Sequence, residues 1–352
     1  MIKNFLRKKV YKIGFNSPLR INNKFSIINN NTNKKLLKIK FGNKNPKKKF
    51  YVIKRSPGAG FFSNLQYILI HLEFAEKNFF IPVVDMQNFP TAYNQKVNMY
   101  KIKNLWNLYF KNVSNYSLNE VYNSKNVYFS TSNKNFFLND YKKKNLKKIF
   151  DKYILPNDYI LKKTEIFINK NFKNKKILGV HLRGTDQKIS AKHAMPPTIY
   201  EIIETINKKL KKDNYQKIFL LTEELNYYKK LKKLYGKKIC TYNVFRSNKT
   251  SNFSNFKRAN HKNLLGIENL IEAITLARCR EIVYCETNIS LFSIFYSNFK
   301  IKKWHLNNGF KSNYIYISIF EWYLFKLLPD FMTFTFKNFI KKFRFAKNLN
   351  QS

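Results

Sequence analysis

Short apolar runs that stop at a polar cluster, each followed by residues at helical spacing, set the fold class of this chain. The first is Phe50–Met86, "FYVIKRSPGAGFFSNLQYILIHLEFAEKNFFIPVVDM". Phe50–Lys54 has strand character, and the Pro and Gly of "SPGAG" make a turn. Ser63 is placed as an N-cap, and Leu65, Ile68, Leu69, Leu72 and Ala75 then recur along one helix face. "FFIPVVDM" is a short buried strand ending at Asp85. Strand, glycine turn, helix, strand is a βαβ unit, which requires a parallel sheet with the loop at its carboxyl edge.

A less regular region, closed by the lysine run "YKKKNLKK", leads to a second block near Ile177. Strand "ILGVHL" precedes a helix from about Pro197, strand "KIFLLT" a helix from about Leu225, and "KKICTY" is a third strand. A helix from Gly266 puts Ile267, Leu270, Ile271 and Ile274 on one face; strand "EIVYC" and a helix from Ser290 close the series. The residues before about Lys49 are Asn- and Lys-rich and carry no assignable pattern. The expectation is an α/β chain of two Rossmann-like doubly wound domains facing a central cleft. The first spans residues 1–170 and the second 171–310, with a C-terminal helical tail over 311–352.

Charge is the strongest compositional signal: 67 Lys+Arg against 20 Asp+Glu, a net +47. Such a field suits an anionic partner, whether nucleic acid, a membrane surface or a phosphorylated substrate. Lys, Asn, Ile, Phe and Tyr are abundant together and the lysines are spread along the whole chain, as in a protein from an AT-rich genome. At 44% hydrophobic residues the chain is globular. No RNP signature, zinc-finger spacing or basic recognition helix points to a specific nucleic-acid partner. Cys240, Cys279 and Cys285 include no CxxC pair, which disfavours a disulfide framework or zinc site and fits a reducing, cytoplasmic setting. The basic N-terminus has no signal-peptide core, and no stretch reaches the ~20 uninterrupted apolar residues of a membrane span. The nearest approach, from Tyr314, is either a packed C-terminal helix or an aromatic, Lys-flanked element lying on an anionic membrane surface, which would make the protein peripheral.

Four polar clusters fall directly after strands: "SPGAGFFSN", "HLRGTDQK", "LLTEE" and "CETNIS". Each has a local reading. Gly58 and Gly60 can serve a simple turn, with neither the third glycine of a dinucleotide fingerprint nor the lysine of a P-loop. Thr185–Asp186 can cap a loop, Thr222–Glu223 a helix, and Thr287, Asn288 and Ser290 the last helix. Their shared position at strand ends is what makes a site of them.

On these residues the chain resembles the fucosyltransferase superfamily of nodulation-type and α-1,6-fucosyltransferases, with more distant kinship to protein O-fucosyltransferases. "GVHLRGTD", "GFFSNLQYILIHLEFA", "IFLLTEE" and "GIENLIEAITLARCREIVYCETNIS" carry the resemblance, which runs roughly from Phe50 to Gly309. It implies a GT-B-like fold with the acceptor side in the first domain and the donor side in the second. It implies GDP-fucose as donor substrate, inversion at the sugar, and no metal or other cofactor. It places His181 and Glu272 at the guanine, Glu223 and Glu224 near the nucleoside, and Asn64 with the Gly58–Gly60 loop near the pyrophosphate and sugar. Thr287, Asn288 and Ser290 take the family's Ser/Asn-rich loop, and Arg183 its motif arginine. The second arginine of that motif is Gly184 here, the lysine is Gln187, and the proposed catalytic glutamate falls at Ala191. The acceptor base is then His193, Asp186 or Lys192, with loop anchoring the equal alternative for His193.

The chemistry leads the same way. Sugar transfer from a nucleotide donor needs negative charge on the departing diphosphate stabilised. The sequence has no DxD and no HExxH, so a protein cation is expected to do it, and Arg suits bidentate phosphate contact. The expected reaction is transfer to a glycan, free or lipid-linked, such as a bacterial surface polysaccharide or lipopolysaccharide. The competing reading is a basic nucleic-acid-binding or membrane-surface-binding protein without catalysis.

Overall fold

The computed structural model describes residues 25–29, 35–56, 60–95, 100–130, 144–249, 253 and 258–327. The chain divides into two compact units, residues 1–161 with 257–270 and residues 162–256 with 271–352.

In chain order the first unit contains β1 (Phe25–Asn29), β2 (Lys35–Ile39), β3 (Phe50–Ile53), α1 (Phe61–Lys77) and β4 (Ile81–Val84). There follow α2 (Trp106–Tyr109), α3 (Leu118–Val121), β5 (Val127–Ser130) and α4 (Lys144–Tyr153). Its sheet runs β1-β2-β5-β3-β4. β3 is parallel to both neighbours, with Val52 opposite Val83 and Phe129, which bears out the βαβ reading of Phe50–Met86. All four residues of β3 are buried, as in a strand covered on both faces. β1 and β2 pair antiparallel and join the sheet on β5; they arise from the stretch that showed no pattern in the sequence. Val52, Val83, Val127 and Phe129 pack with Phe89 and Val121 on one face. On the other face of β3, Tyr51 meets His71 and Phe74 of α1.

Ser63 is not the N-cap of this helix. α1 starts at Phe61 with Gly60 as its cap and no capping side chain. The amide of Phe61 donates instead to the Tyr93 hydroxyl at 3.1 Å, and Asn64 ties the preceding loop to the first turn: its Oδ1 accepts from Ser56 N at 2.9 Å and its Nδ2 donates to Gly60 O at 3.0 Å.

The second unit contains α5 (Asp158–Phe172, begun in the first unit), β6 (Ile177–His181), α6 (Thr185–Ile189), α7 (Ile199–Asp213), β7 (Lys217–Leu221) and α8 (Leu225–Tyr235). It continues with β8 (Ile239–Cys240), the end of α9 (His261–Leu276, whose residues through Leu270 belong to the first unit), β9 (Glu281–Tyr284), α10 (Asn288–Tyr296), β10 (Lys302–His305) and α11 (Ile315–Leu327). Its sheet, β10-β9-β6-β7-β8, is parallel throughout. The third strand is shorter than "KKICTY" suggests, and β10 is an additional edge strand. α9 begins at His261 instead of Gly266; Gly266 lies inside it, and a Cβ there would stand 2.4 Å from the Tyr109 hydroxyl.

Strand alternation divides the second core. Leu178, Val180 and Leu182 join Ile202, Ile206 and Leu231 on one face. Ile177, Phe219 and Leu221 join Leu276 and Ile294 on the other. Gly179 lies on the second face, where a Cβ would come within 2.7 Å of Leu276 Cδ1 and 3.1 Å of Cys279 Sγ. The helix can approach the central strand only over a glycine. Gly179→Ala is expected to lower unfolding stability by roughly 1–3 kcal/mol through overpacking. Urea unfolding midpoints of wild type and variant check this, and an unchanged midpoint would refute the tight contact.

Candidate functional site

From β6 the second sheet winds outward in both directions, through β7 and β8 on one side and β9 and β10 on the other. The crevice outside the carboxyl ends of the two strands at such a reversal is where parallel α/β sheets take ligands. Those strands are β6, followed by Leu182 and Arg183, and β9, followed by Cys285, Glu286 and Thr287. The two ends meet: Thr287 Oγ1 lies 3.4 Å from His181 Nδ1. Thr287 is also the N-cap of α10, accepting from Ser290 N at 3.2 Å while Ser290 Oγ accepts from Thr287 N at 3.0 Å. This capping box leaves the positive end of the α10 dipole, with Asn288 in its first turn, at the carboxyl end of β9.

His181 is fully buried. Burial, and after it the Arg183 charge, push its pKa down to about 3, so the ring is neutral. Its Nε2 has no hydrogen-bond partner among the described residues. Arg183, two residues on and partly exposed, points its Nη2 at both carboxylate oxygens of Asp186, 3.2 Å from each. Its Nε lies 3.7 Å from Glu223 Oε1.

Glu223 and Glu224 shape the loop that carries Arg183. Glu223 Oε1 accepts from Gly184 N at 3.2 Å and from the Thr185 hydroxyl at 3.1 Å. Glu224 Oε2 accepts from Thr185 N at 3.1 Å, and its Oε1 takes the Lys188 ammonium at 2.6 Å. Thr222 and Glu223 do not cap α8: the N-cap is Glu224, without a side-chain cap bond. A Cβ on Gly184 would stand 1.8 Å from Glu224 Oε2, so the second arginine of the resembled motif has no room here while Glu224 keeps its place.

His193 follows α6 on an exposed stretch whose carbonyl accepts from Lys311 N at 2.9 Å. Partial desolvation, then the Arg183 charge, hold its imidazole below the ordinary value; Asp186 opposes and Lys311 adds to the effect. A neutral imidazole beside a carboxylate is able to accept a proton near neutral pH.

Glu272, on α9, is buried and faces Arg246 Nη2 at 3.5 Å. Sequence reasoning did not single out Arg246. It is almost fully buried, donates Nε to Thr222 O at 3.0 Å and Nη2 to Thr241 Oγ1, and lies 4.8 Å from the Tyr228 ring. The only signal was its place after the short strand "KKIC". The second unit thus gathers His181, Arg183, Asp186, Glu223, Glu224, Thr287, Asn288 and Ser290 around three strand ends, those of β6, β7 and β9, with His193 inside the field of Arg183.

Asn64 and Gly60 belong to the first unit, at the turn after β3; Gly58 lies outside the described residues. The same turn contains Lys54, another residue the sequence reading passed over, whose ammonium burial and then the Arg55 charge lower to a pKa of about 7. Beside β4 a cavity of about 800 Å³ is lined largely by apolar side chains, Val83, Val84 and Trp106 among them, with the amides of Gln87, Asn88 and Asn104 between. Asn107 Oδ1 is buried and has no hydrogen-bond partner among the described residues. Among the described residues no group of three or more His, Cys, Asp or Glu could hold a metal ion, and no helix is long and apolar enough to cross a membrane.

No family model matches the chain, and no curated protein does. Among solved structures it is similar to the NodZ α-1,6-fucosyltransferase co-crystallised with GDP, at 14% identity and TM-score 0.48 over 71% of this chain and 92% of that one. It is similar to POFUT1 in complex with GDP-fucose, at 13% identity and TM-score 0.36 over 74% and 73%. It is also similar to a mutant of FUT1 from Arabidopsis thaliana in complex with GDP, at 10% identity and TM-score 0.42 over 76% and 72%.

The buried imidazole sets a pH response. Unfolded, His181 protonates near 6.5; folded, it stays neutral to about 3. Its contribution to stability is therefore complete above pH 6.5 and is lost as the pH falls below that value, at about 1.4 kcal/mol per pH unit. His181→Asn is expected to flatten the decline of urea midpoints between about pH 6.5 and pH 4. Equal slopes for variant and wild type would show that His181 protonates in the folded protein.

Proposed function

We propose that this chain is a glycosyltransferase that takes a sugar, fucose in the resembled family, from a guanosine diphosphate donor and passes it with inversion to a glycan hydroxyl. The observation that carries this reading is the meeting of His181 and Thr287 at the sheet reversal, with Arg183 and the α10 N-terminus beside it. A diphosphate there gains a guanidinium fork and first-turn amides together. Arg183 now holds Asp186, so the donor has to take Arg183 over from that carboxylate. Asp186, once released, is left to support protonation of His193, whose pKa it already raises.

In the reaction His193 removes the proton from the acceptor hydroxyl. The acceptor oxygen bonds to the anomeric carbon from the face opposite the diphosphate. The bond from that carbon to the phosphate oxygen breaks, and its electron pair leaves on GDP against Arg183. The charge stabilisation is assigned to the protein, so the reaction needs no metal. The acceptor-side role is assigned to the first unit, whose cavity sets amide side chains among apolar and aromatic ones, a mixture suited to the hydroxyls and ring faces of a neutral glycan. Asn64 and Gly60 are assigned to the donor sugar, and Glu272 to the guanine, where the base has to compete with Arg246.

Hydrolysis of a panel of GDP-sugars, followed as GDP release, tests the reaction class directly; no turnover with any of them would end the proposal. Arg183→Lys keeps the charge and loses the planar fork. It is expected to cut turnover roughly 100-fold or more, since one preorganised donor is worth about 2.7–4 kcal/mol of barrier. Near-wild-type turnover in a normally melting variant would make Arg183 structural. Activity is further expected to survive EDTA; loss on chelation with recovery on adding Mn²⁺ or Mg²⁺ would overturn the metal-independent mechanism.

A further inference from the structure

α11 has one face committed and one face bare. Ser318, Trp322 and Phe325 are buried; the two aromatic rings pack with Met195, and Ser318 Oγ donates to Ser190 O at 3.0 Å. On the opposite side Tyr316, Phe320, Tyr323 and Leu327 are 85%, 66%, 53% and 78% exposed. They recur at i, i+4, i+7 and i+11, a continuous stripe along the helix. Ile315 and Ile317 widen it and are about half exposed. The only acid of the helix, Glu321, is turned back to accept from Ser312 N at 2.7 Å, so the stripe carries no carboxylate. Scattered exposed apolar residues need no explanation, whereas an unbroken stripe of them marks an interaction surface.

We propose that this face of α11 docks the protein on an anionic lipid bilayer. The stripe runs the roughly 20 Å length of the helix, the form of an amphipathic helix that lies in the plane of a bilayer interface with its apolar face inward. The residue types fit the same occupant, because Tyr and Phe place an apolar ring among acyl chains and the Tyr hydroxyl among headgroups.

Charge adds the preference for anionic lipid. Lys188 Nζ lies 6.0 Å from the Trp322 ring and 4.3 Å from Tyr227 of α8, so α8 is a near neighbour of the docking helix. α8 has no acid and exposes Lys229, Lys230, Lys232 and Lys233. In sequence, residues 331–352 add four lysines, one arginine and six phenylalanines without an acid. Lysines near the surface of an anionic leaflet each strengthen the attachment. This docking is independent of the sugar-transfer reading, and the two fail separately.

The test is sedimentation of the full chain with vesicles of phosphatidylcholine alone or mixed with phosphatidylglycerol, for wild type and for the triple variant Tyr316→Ser/Phe320→Ser/Leu327→Ser. Wild type is expected to pellet with the mixed vesicles and to be released by salt. The triple variant is expected to partition at least about 10-fold less while melting normally. Undiminished binding by the variant would mean that the general positive field is sufficient and would overturn the proposal. So would a lowered melt with unchanged binding, which would mean that the chain's own residues cover the stripe. A wild type that ignores both vesicles, or a dimer that the variant dissociates, overturns it too.

Discussion

The second unit depends on two glutamates that reach from the end of one strand to hold the loop after the next. Glu223 and Glu224 stand where β7 ends, and between them they satisfy the amides of Gly184 and Thr185, the Thr185 hydroxyl and the Lys188 ammonium. These charge-assisted bonds are about twice as strong as neutral ones, and Glu224 is buried, where they count most. They force a tight path on the backbone: Thr185 adopts φ 39°, and Gly184 has to be a glycine. That path sets Arg183 down beside Asp186 and within reach of the β9 end. The position of Arg183, a partly exposed cation at the strand reversal, is thus decided by carboxylates at the end of a neighbouring strand.

Much of this fold was legible because burial writes periodicity into sequence. Phe50–Ile53 and Ile177–His181 are fully buried strands, and the spacing of α1 and α9 reported their packed faces. What stayed hidden was fixed by tertiary contact. β1 and β2 have no strong pattern of their own and exist by pairing onto β5. The α1 start was misplaced because the amide of its first residue, Phe61, is met by the hydroxyl of Tyr93, distant in sequence, and not by a neighbouring capping side chain. Gly266 looked like a helix boundary but lies within α9, and it is a glycine because Tyr109, distant in sequence, fills the space a side chain would need. At the site, the capping reading held for Thr287 and Ser290 but not for Asn288, which is the first residue of a helix that begins before Ser290. Arg246 was invisible because its partners, Thr222, Thr241, Tyr228 and Glu272, come from four separate segments.

The charge balance gives the carboxylates unusual weight. With 67 basic residues and 20 acidic ones, the cations outnumber the acids available to pair with them, and several of those acids, Asp85, Glu224, Glu272 and Glu281, are buried. Glu281 binds the buried Lys209 and takes the Tyr215 hydroxyl at 2.6 Å. Asp85 closes the end of β4 by accepting from Gln87 N, Asn88 and the Tyr122 hydroxyl. A buried ion pair is not in itself a source of stability, but breaking one leaves an uncompensated charge. Interior acids in this chain are therefore poor places for neutral drift, whereas exchange among its surface lysines is nearly free.

α9 has a consequence for how the chain comes into being. Its first half, through Leu270, completes the first unit: Asn263 donates to Tyr93 O at 3.0 Å and accepts from the Tyr109 hydroxyl at 3.3 Å, and Gly266 lies against Tyr109. The first unit is therefore discontinuous in sequence, and a nascent chain emerging from the ribosome presents β1 to β5 long before the segment that closes them. Nearly a hundred residues of the other unit, 162–256, are synthesised in between. Vectorial synthesis thus delivers the two units interleaved, and the N-terminal one waits, with Tyr93 and Tyr109 uncovered, for a helix encoded three quarters of the way along the message.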